Sequence, residues 1–198
     1  DFAAARRACD QGLTLVAGSE YDDRAIELTW LKAMADLETN NLDAARAVLA
    51  KLDKAIATKG INETNYKPMY KFALLLRLRL YAEDRKSEEL DKAVSDLNWV
   101  KDKLGYWATP YDRAFSFDVA GTALEKIGRA SQAEEAYRGA LSYNPHFPLA
   151  HFHLASLLLN KGDRAGSREH LQASVAEWKD ADASMVEIAA AQQLLKKL

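Results

Sequence analysis

Phe117–Pro145 reads FDVAGTALEKIGRASQAEEAYRGALSYNP, and moving the frame on by thirty-four residues brings up the same pattern again. Phe117, Ala120, Gly121, Leu124, Gly128, Ala133, Tyr137, Ala140 and Pro145 become His151, Leu154, Ala155, Leu158, Gly162, Ser167, Leu171, Ser174 and Lys179. A further shift reaches Met185, Ile188 and Ala189. Within each unit the apolar residues recur at the spacing of one helix face, stop at a glycine, and start again. Each unit is therefore two amphipathic helices joined by a tight turn. Gly128 and Gly162 supply the left-handed backbone that ends a first helix, and Asp163 is placed to cap the next one. Small residues at Gly121, Ala133 and Ala140 let the paired helices approach closely, while Phe117, Leu124 and Tyr137 fill the space around that contact.

Outward from this stretch the pattern loosens but persists. The spacing predicts a half repeat over 1–17, helix pairs over 23–58, 65–104, 114–147 and 148–181, and a C-terminal capping helix over 182–198, all in one domain. Trp30, Ala33, Met34 and Leu37 form one buried stripe, and Met69, Phe72, Ala73 and Leu76 another. Asn40 and Asn41 turn the chain. Glu83–Ser87 reads as a turn longer than the standard one. Gly105–Asp112, with its Thr-Pro step, reads as an irregular loop whose Tyr106, Trp107 and Tyr111 pack with Trp99.

Composition narrows the function classes. The chain has 198 residues, of which 48% are hydrophobic, enough for an ordinary core without disulfides or metals. Its formal charge of −2 gives no electrostatic case for nucleic acid. The most apolar run, Phe72–Leu80, is broken by Arg77 and Arg79, so membrane insertion is not expected. The one cysteine, Cys9, fits a reducing compartment. Asp1–Ala5 reads as the opening of a second repeat helix whose first helix is missing, so the expectation is a piece of a longer protein or a processed form; the sequence leaves the compartment open, with the cytoplasm favoured.

Helix pairs at a thirty-four-residue interval resemble the tetratricopeptide repeat. Phe117–Pro145 is similar to a full motif of that family, and the following unit to a second copy in register. The resemblance implies an all-α fold, a right-handed α-solenoid of antiparallel helix pairs whose first helices line a concave face. It also implies a non-enzymatic scaffold that binds a protein or peptide. Glu177–Asp182 and the helix after it are similar to the C-terminal repeats of some bacterial kinase-like and transcription-regulator proteins. That makes a regulatory or self-association module, dimerising through a solenoid end, the alternative.

On this reading the partner-binding residues are Lys67, Tyr70, Leu74 and Arg77, then Phe115, Asp118 and Thr122, then Leu149, Phe152 and Ser156. Apolar and aromatic side chains there would anchor a peptide, and Lys67, Lys71, Arg77 and Arg79 would draw an acidic segment. Repeats that clamp a C-terminal carboxylate carry Lys and Asn where this chain has Asp118, Thr122, Phe152 and Ser156, so that subtype is not expected. No catalytic residue, cofactor or metal is expected. His151 and His153 lie about 200° apart around a helix and cannot chelate together. His151, standing where Phe117 stands in the preceding unit, is the histidine expected to pack.

Overall fold

The computed structural model describes residues 1–17, 22–59, 67–103, 109–182 and 185–198, and among them it is all-helical. The chain divides into two compact units, Asp1–Trp107 and Ala108–Leu198. The first unit contains α1 (Phe2–Val16), α2 (Asp22–Glu38), α3 (Leu42–Lys59), α4 (Lys67–Glu83) and α5 (Ser87–Lys103). The second contains α6 (Pro110–Lys126), α7 (Ala130–Tyr143), α8 (Pro148–Asn160), α9 (Arg164–Glu177) and α10 (Val186–Lys197). No helix among the described residues is long and apolar enough to cross a membrane.

One turn recurs. The links α2–α3, α4–α5, α6–α7 and α8–α9 each leave three residues outside a helix, and each holds one residue at positive φ: Asn40, Arg85, Gly128 and Gly162. The hydrogen bonds repeat too. Gly128 N–H donates to Glu125 O at 2.9 Å and Arg129 N–H to Leu124 O at 2.9 Å. Gly162 and Asp163 do the same to Leu159 and Leu158, Asn40 and Asn41 to Leu37 and Asp36, and Arg85 and Lys86 to Ala82 and Tyr81. This is the Schellman pairing that satisfies the last carbonyls of a helix. The turn after α4 is thus no longer than the others. Arginine has no preference for left-handed backbone, which is why the sequence hid it.

In the first unit Ala33, Leu37, Ala45, Leu49, Leu52, Phe72, Ala73, Leu76 and Leu80 form the core, with Trp30 stacked on Phe72 at 4.6 Å. Helix α4 packs against α2, α3 and α5. It is buried all round: Leu74, Leu75, Leu76, Leu78 and Leu80 are each 2% exposed or less. A helix apolar on every side belongs inside. Asp36 is also buried, tied to Arg6 of α1 at 2.9 Å and to Asn41 Nδ2 at 3.1 Å.

In the second unit the small residues do what their spacing predicts. A Cβ on Gly121 would run into the Tyr137 ring, which is itself fully buried. On α9, Ser174 stands where α7 has Ala140, and its hydroxyl donates to Pro148 O at 3.0 Å. Asp163 caps α9 by accepting from Gly166 N–H at 2.9 Å.

The Thr-Pro step read as loop is the start of α6. Thr109 Oγ1 accepts from Asp112 N–H at 3.1 Å, and Asp112 accepts from Thr109 N–H at 3.0 Å. That reciprocal cap, followed by proline at the first helical position, starts the helix at Pro110. Of the aromatic loop cluster, Tyr106, Trp107 and the Trp99 side chain lie outside the described residues.

Candidate functional site

Helix α8 packs against both α6 and α10, so these three helices share one face of the second unit. The face carries most of the residues singled out by sequence. Phe115 is half-buried and stacks on Tyr111 at 6.5 Å. Thr122 and Ser156 are half-buried and donate only within their own helices, to Val119 O at 2.9 Å and to Phe152 O at 3.0 Å. Leu149 and Phe152 are partly covered by the cluster around Trp178, Ile188 and Ala191.

Asp118 is not on an open surface. It is 3% exposed and accepts a hydrogen bond from His153 Nδ1 at 2.8 Å, which ties α6 to α8. His153 and His151 are both half-buried, and sequence reasoning missed the place of His153 in this contact. The only signal available was its place one residue past the repeat equivalent of Asp118, at the α6–α8 contact. Burial pushes its pKa down, but the carboxylates of Asp118, Glu125 and Glu187 outweigh this and leave it raised. Tyr137 of α7 donates to Glu125 at 3.0 Å, and burial followed by the Glu125 carboxylate pushes its pKa well above the usual phenol range. The face therefore centres on one imidazole bordered by three carboxylates.

The candidates in the first unit fare differently. Leu74 is 1% exposed, because α4 has no free face, so it cannot contact a partner. Arg77 pairs with Asp53 at 2.5 Å and Arg79 with Glu38 at 2.5 Å. Those charges are neutralised within the unit and are not available to steer an acidic segment. Lys71 lies 5.3 Å from the Phe72 ring centroid. Tyr70 is half-buried beside Asp96, with Arg77 5.9 Å from its ring centroid; burial first, then Asp96, pushes its pKa up to about 12. The Lys67 side chain lies outside the described residues.

No protein-family model matches the chain, and no curated protein matches it. The functional reading therefore rests on the residues themselves.

Two further histidine contacts lie on the α8–α9 side. His151 Nδ1 and His170 Nδ1 are 2.9 Å apart, and His151 Nε2 meets Pro145 O at 2.9 Å. His146 pairs with Glu177 at 2.7 Å near the surface. Among the described residues no three or more His, Cys, Asp or Glu side chains group to hold a metal. Cys9 is buried, and burial raises its thiol pKa, the opposite of what an activated nucleophile needs.

Proposed function

We propose that this chain is a non-enzymatic protein-binding module of the tetratricopeptide kind, built on the right-handed solenoid plan. A protein segment would lie across α6, α8 and α10. The observation that carries the reading is the recurrence of one three-residue, left-handed turn in four helical hairpins. Two of those turns stand at the thirty-four-residue interval of that family. Such repeats touch only their neighbours and leave the first helices of successive pairs side by side. On this face Thr122 and Ser156 are equivalent positions whose side chains bond only their own helix. Phe115 and Phe152 would add apolar anchorage on either side of them.

The test is a Thr122→Arg/Ser156→Arg double variant, because neither hydroxyl supports tertiary packing. A protein captured by the wild type should be lost by this variant and kept by Glu135→Arg, which alters an exposed position on α7. Titration with the purified partner should then show the same order of affinities. Equal binding by all three proteins would remove the face from consideration.

Self-association is the second reading, and a specific observation favours it. On α1, Leu15 is 83% and Phe2 50% exposed, and Leu31 of α2 is 42% exposed. A second copy would cover such apolar side chains. Mass measured by light scattering over a concentration series distinguishes a monomer from a dimer that Leu15→Glu dissociates.

A further inference from the structure

We infer that His151 and His170 form a two-histidine site for a borderline divalent cation, of the zinc, nickel and copper class, bridging α8 and α9. The starting point is the repeat register. Thirty-four residues earlier the same two positions hold Phe117 and Ala136, one large apolar side chain and one small one. The second hairpin replaces both with imidazoles. Packing alone does not call for that exchange, since two polar rings must then satisfy each other.

Their geometry is that of a chelating pair. The two Nδ1 atoms face each other at 2.9 Å, with ring centroids 5.1 Å apart. His151 Nε2–H donates to the Pro145 carbonyl at 2.9 Å, which leaves the lone pair on Nδ1 and aims it at His170. A backbone carbonyl holding the far nitrogen is the usual outer support of a metal-bound histidine, because it fixes both tautomer and ring plane. Zn–N bonds of about 2.0–2.1 Å at a tetrahedral angle put two ligand nitrogens about 3.3 Å apart, so the rings need to open by under half an ångström.

In the metal-free pair His170 Nδ1–H donates to His151 Nδ1. On binding, that proton moves through water to His170 Nε2, both Nδ1 lone pairs face the cation, and no net proton is released. Both rings are only half-buried, so the cation has access. No third side chain completes the set among the described residues. The remaining positions are left for water, or for a donor brought by a bound partner, as an open zinc site requires. Imidazole donors suit zinc, nickel and copper, whereas magnesium prefers oxygen.

The experiment uses the full chain, stripped with chelator and titrated with Zn²⁺ by calorimetry at pH 7.5, with Tm followed in parallel. One zinc per chain is expected, with a Tm that rises with zinc concentration, and no response to Mg²⁺. His151→Gln or His170→Gln should each weaken binding by more than the roughly 10- to 100-fold typical of losing an outer-shell partner. His151→Phe/His170→Ala restores the pair found at Phe117 and Ala136. It should keep its helical circular dichroism and lose the site. His146→Gln should bind as the wild type does. Zinc-dependent shifts of the His151 and His170 ring resonances would locate the ion directly. The inference is overturned if millimolar Zn²⁺ is not taken up, if uptake survives in the double variant, or if it is lost in His146→Gln. It stands or falls apart from the partner-binding reading, whose test variants leave both rings in place.

Discussion

Arg85 holds φ at 53°, a conformation that sets its Cβ against the following carbonyl and costs an L-residue roughly 1–2 kcal/mol. At the equivalent turns Gly128 and Gly162, at φ 84° and 87°, escape that cost. Arg85→Gly should therefore stabilise the protein by about 1 kcal/mol in urea denaturation, less whatever the freer unfolded chain takes back. Gly128→Ala should destabilise it by a similar amount, although a Cβ there meets nothing within 4 Å. The reverse ordering would mean that the backbone is not left-handed at Arg85. Gly121 is constrained by space instead. Its missing Cβ would overlap the Tyr137 ring, so Gly121→Ala should cost about 1–3 kcal/mol through overpacking. Combining it with Tyr137→Leu should cost less than the two singles together, which a double-mutant cycle measures. Gly121, Gly128 and Gly162 were legible because a glycine among helical residues marks either a left-handed turn or a close approach. Arg85 was not, because its side chain says nothing about φ.

Helices were more readable than their faces. The expected helices match α2 through α9 to within a few residues, since amphipathic spacing and turn residues mark them independently. The start of α6 was misplaced because Thr109 and Pro110 are turn formers and helix starters alike, and only the bond to Asp112 decides between them. Helix α4 exposes the deeper limit. From Phe72 to Leu80 it is apolar on every side but for Arg77 and Arg79, so periodicity has no face to choose. Leu74 was assigned outward by register, whereas packing against three helices leaves none of that segment free. Both arginines reach out of the segment to pair with Asp53 and Glu38. Leu76, with no exposed area, should then behave as a central core residue. Leu76→Ala should cost about 2–5 kcal/mol, with the loss read by the fluorescence of Trp30, which packs on the same cluster. A cost under about 1 kcal/mol would contradict the burial of α4.

For the whole molecule, composition excluded a large net charge but could not show how the four histidines pair. Those pairings join residues nineteen to thirty-five positions apart, and no local pattern encodes them. Two of these rings, His153 and His170, bear on how stability depends on pH. His153 faces Asp118 and Glu125 from α6 and Glu187 from α10, and its folded pKa is raised. The folded state then binds more protons than the unfolded chain. The stabilisation is complete below the unfolded value of about 6.5 and is lost as pH rises through the folded pKa. His170 goes the other way: burial, then His151, lowers its pKa. Its neutral form belongs to the fold, so its contribution is intact above about 6.5 and is lost as pH falls below that. The two windows adjoin at about 6.5, so the two histidines do not cancel but together make stability greatest there and lower on either side. Measured in chelator from pH 5.5 to 8.5, the Tm advantage of the wild type over His153→Gln should shrink as pH rises. Its advantage over His170→Gln should shrink as pH falls. Slopes of the same sign would show that one of the two rings sits in surroundings other than those described. Opposite slopes would assign a stability maximum near neutral pH to two histidines, His170 limiting it on the acid side and His153 on the basic side.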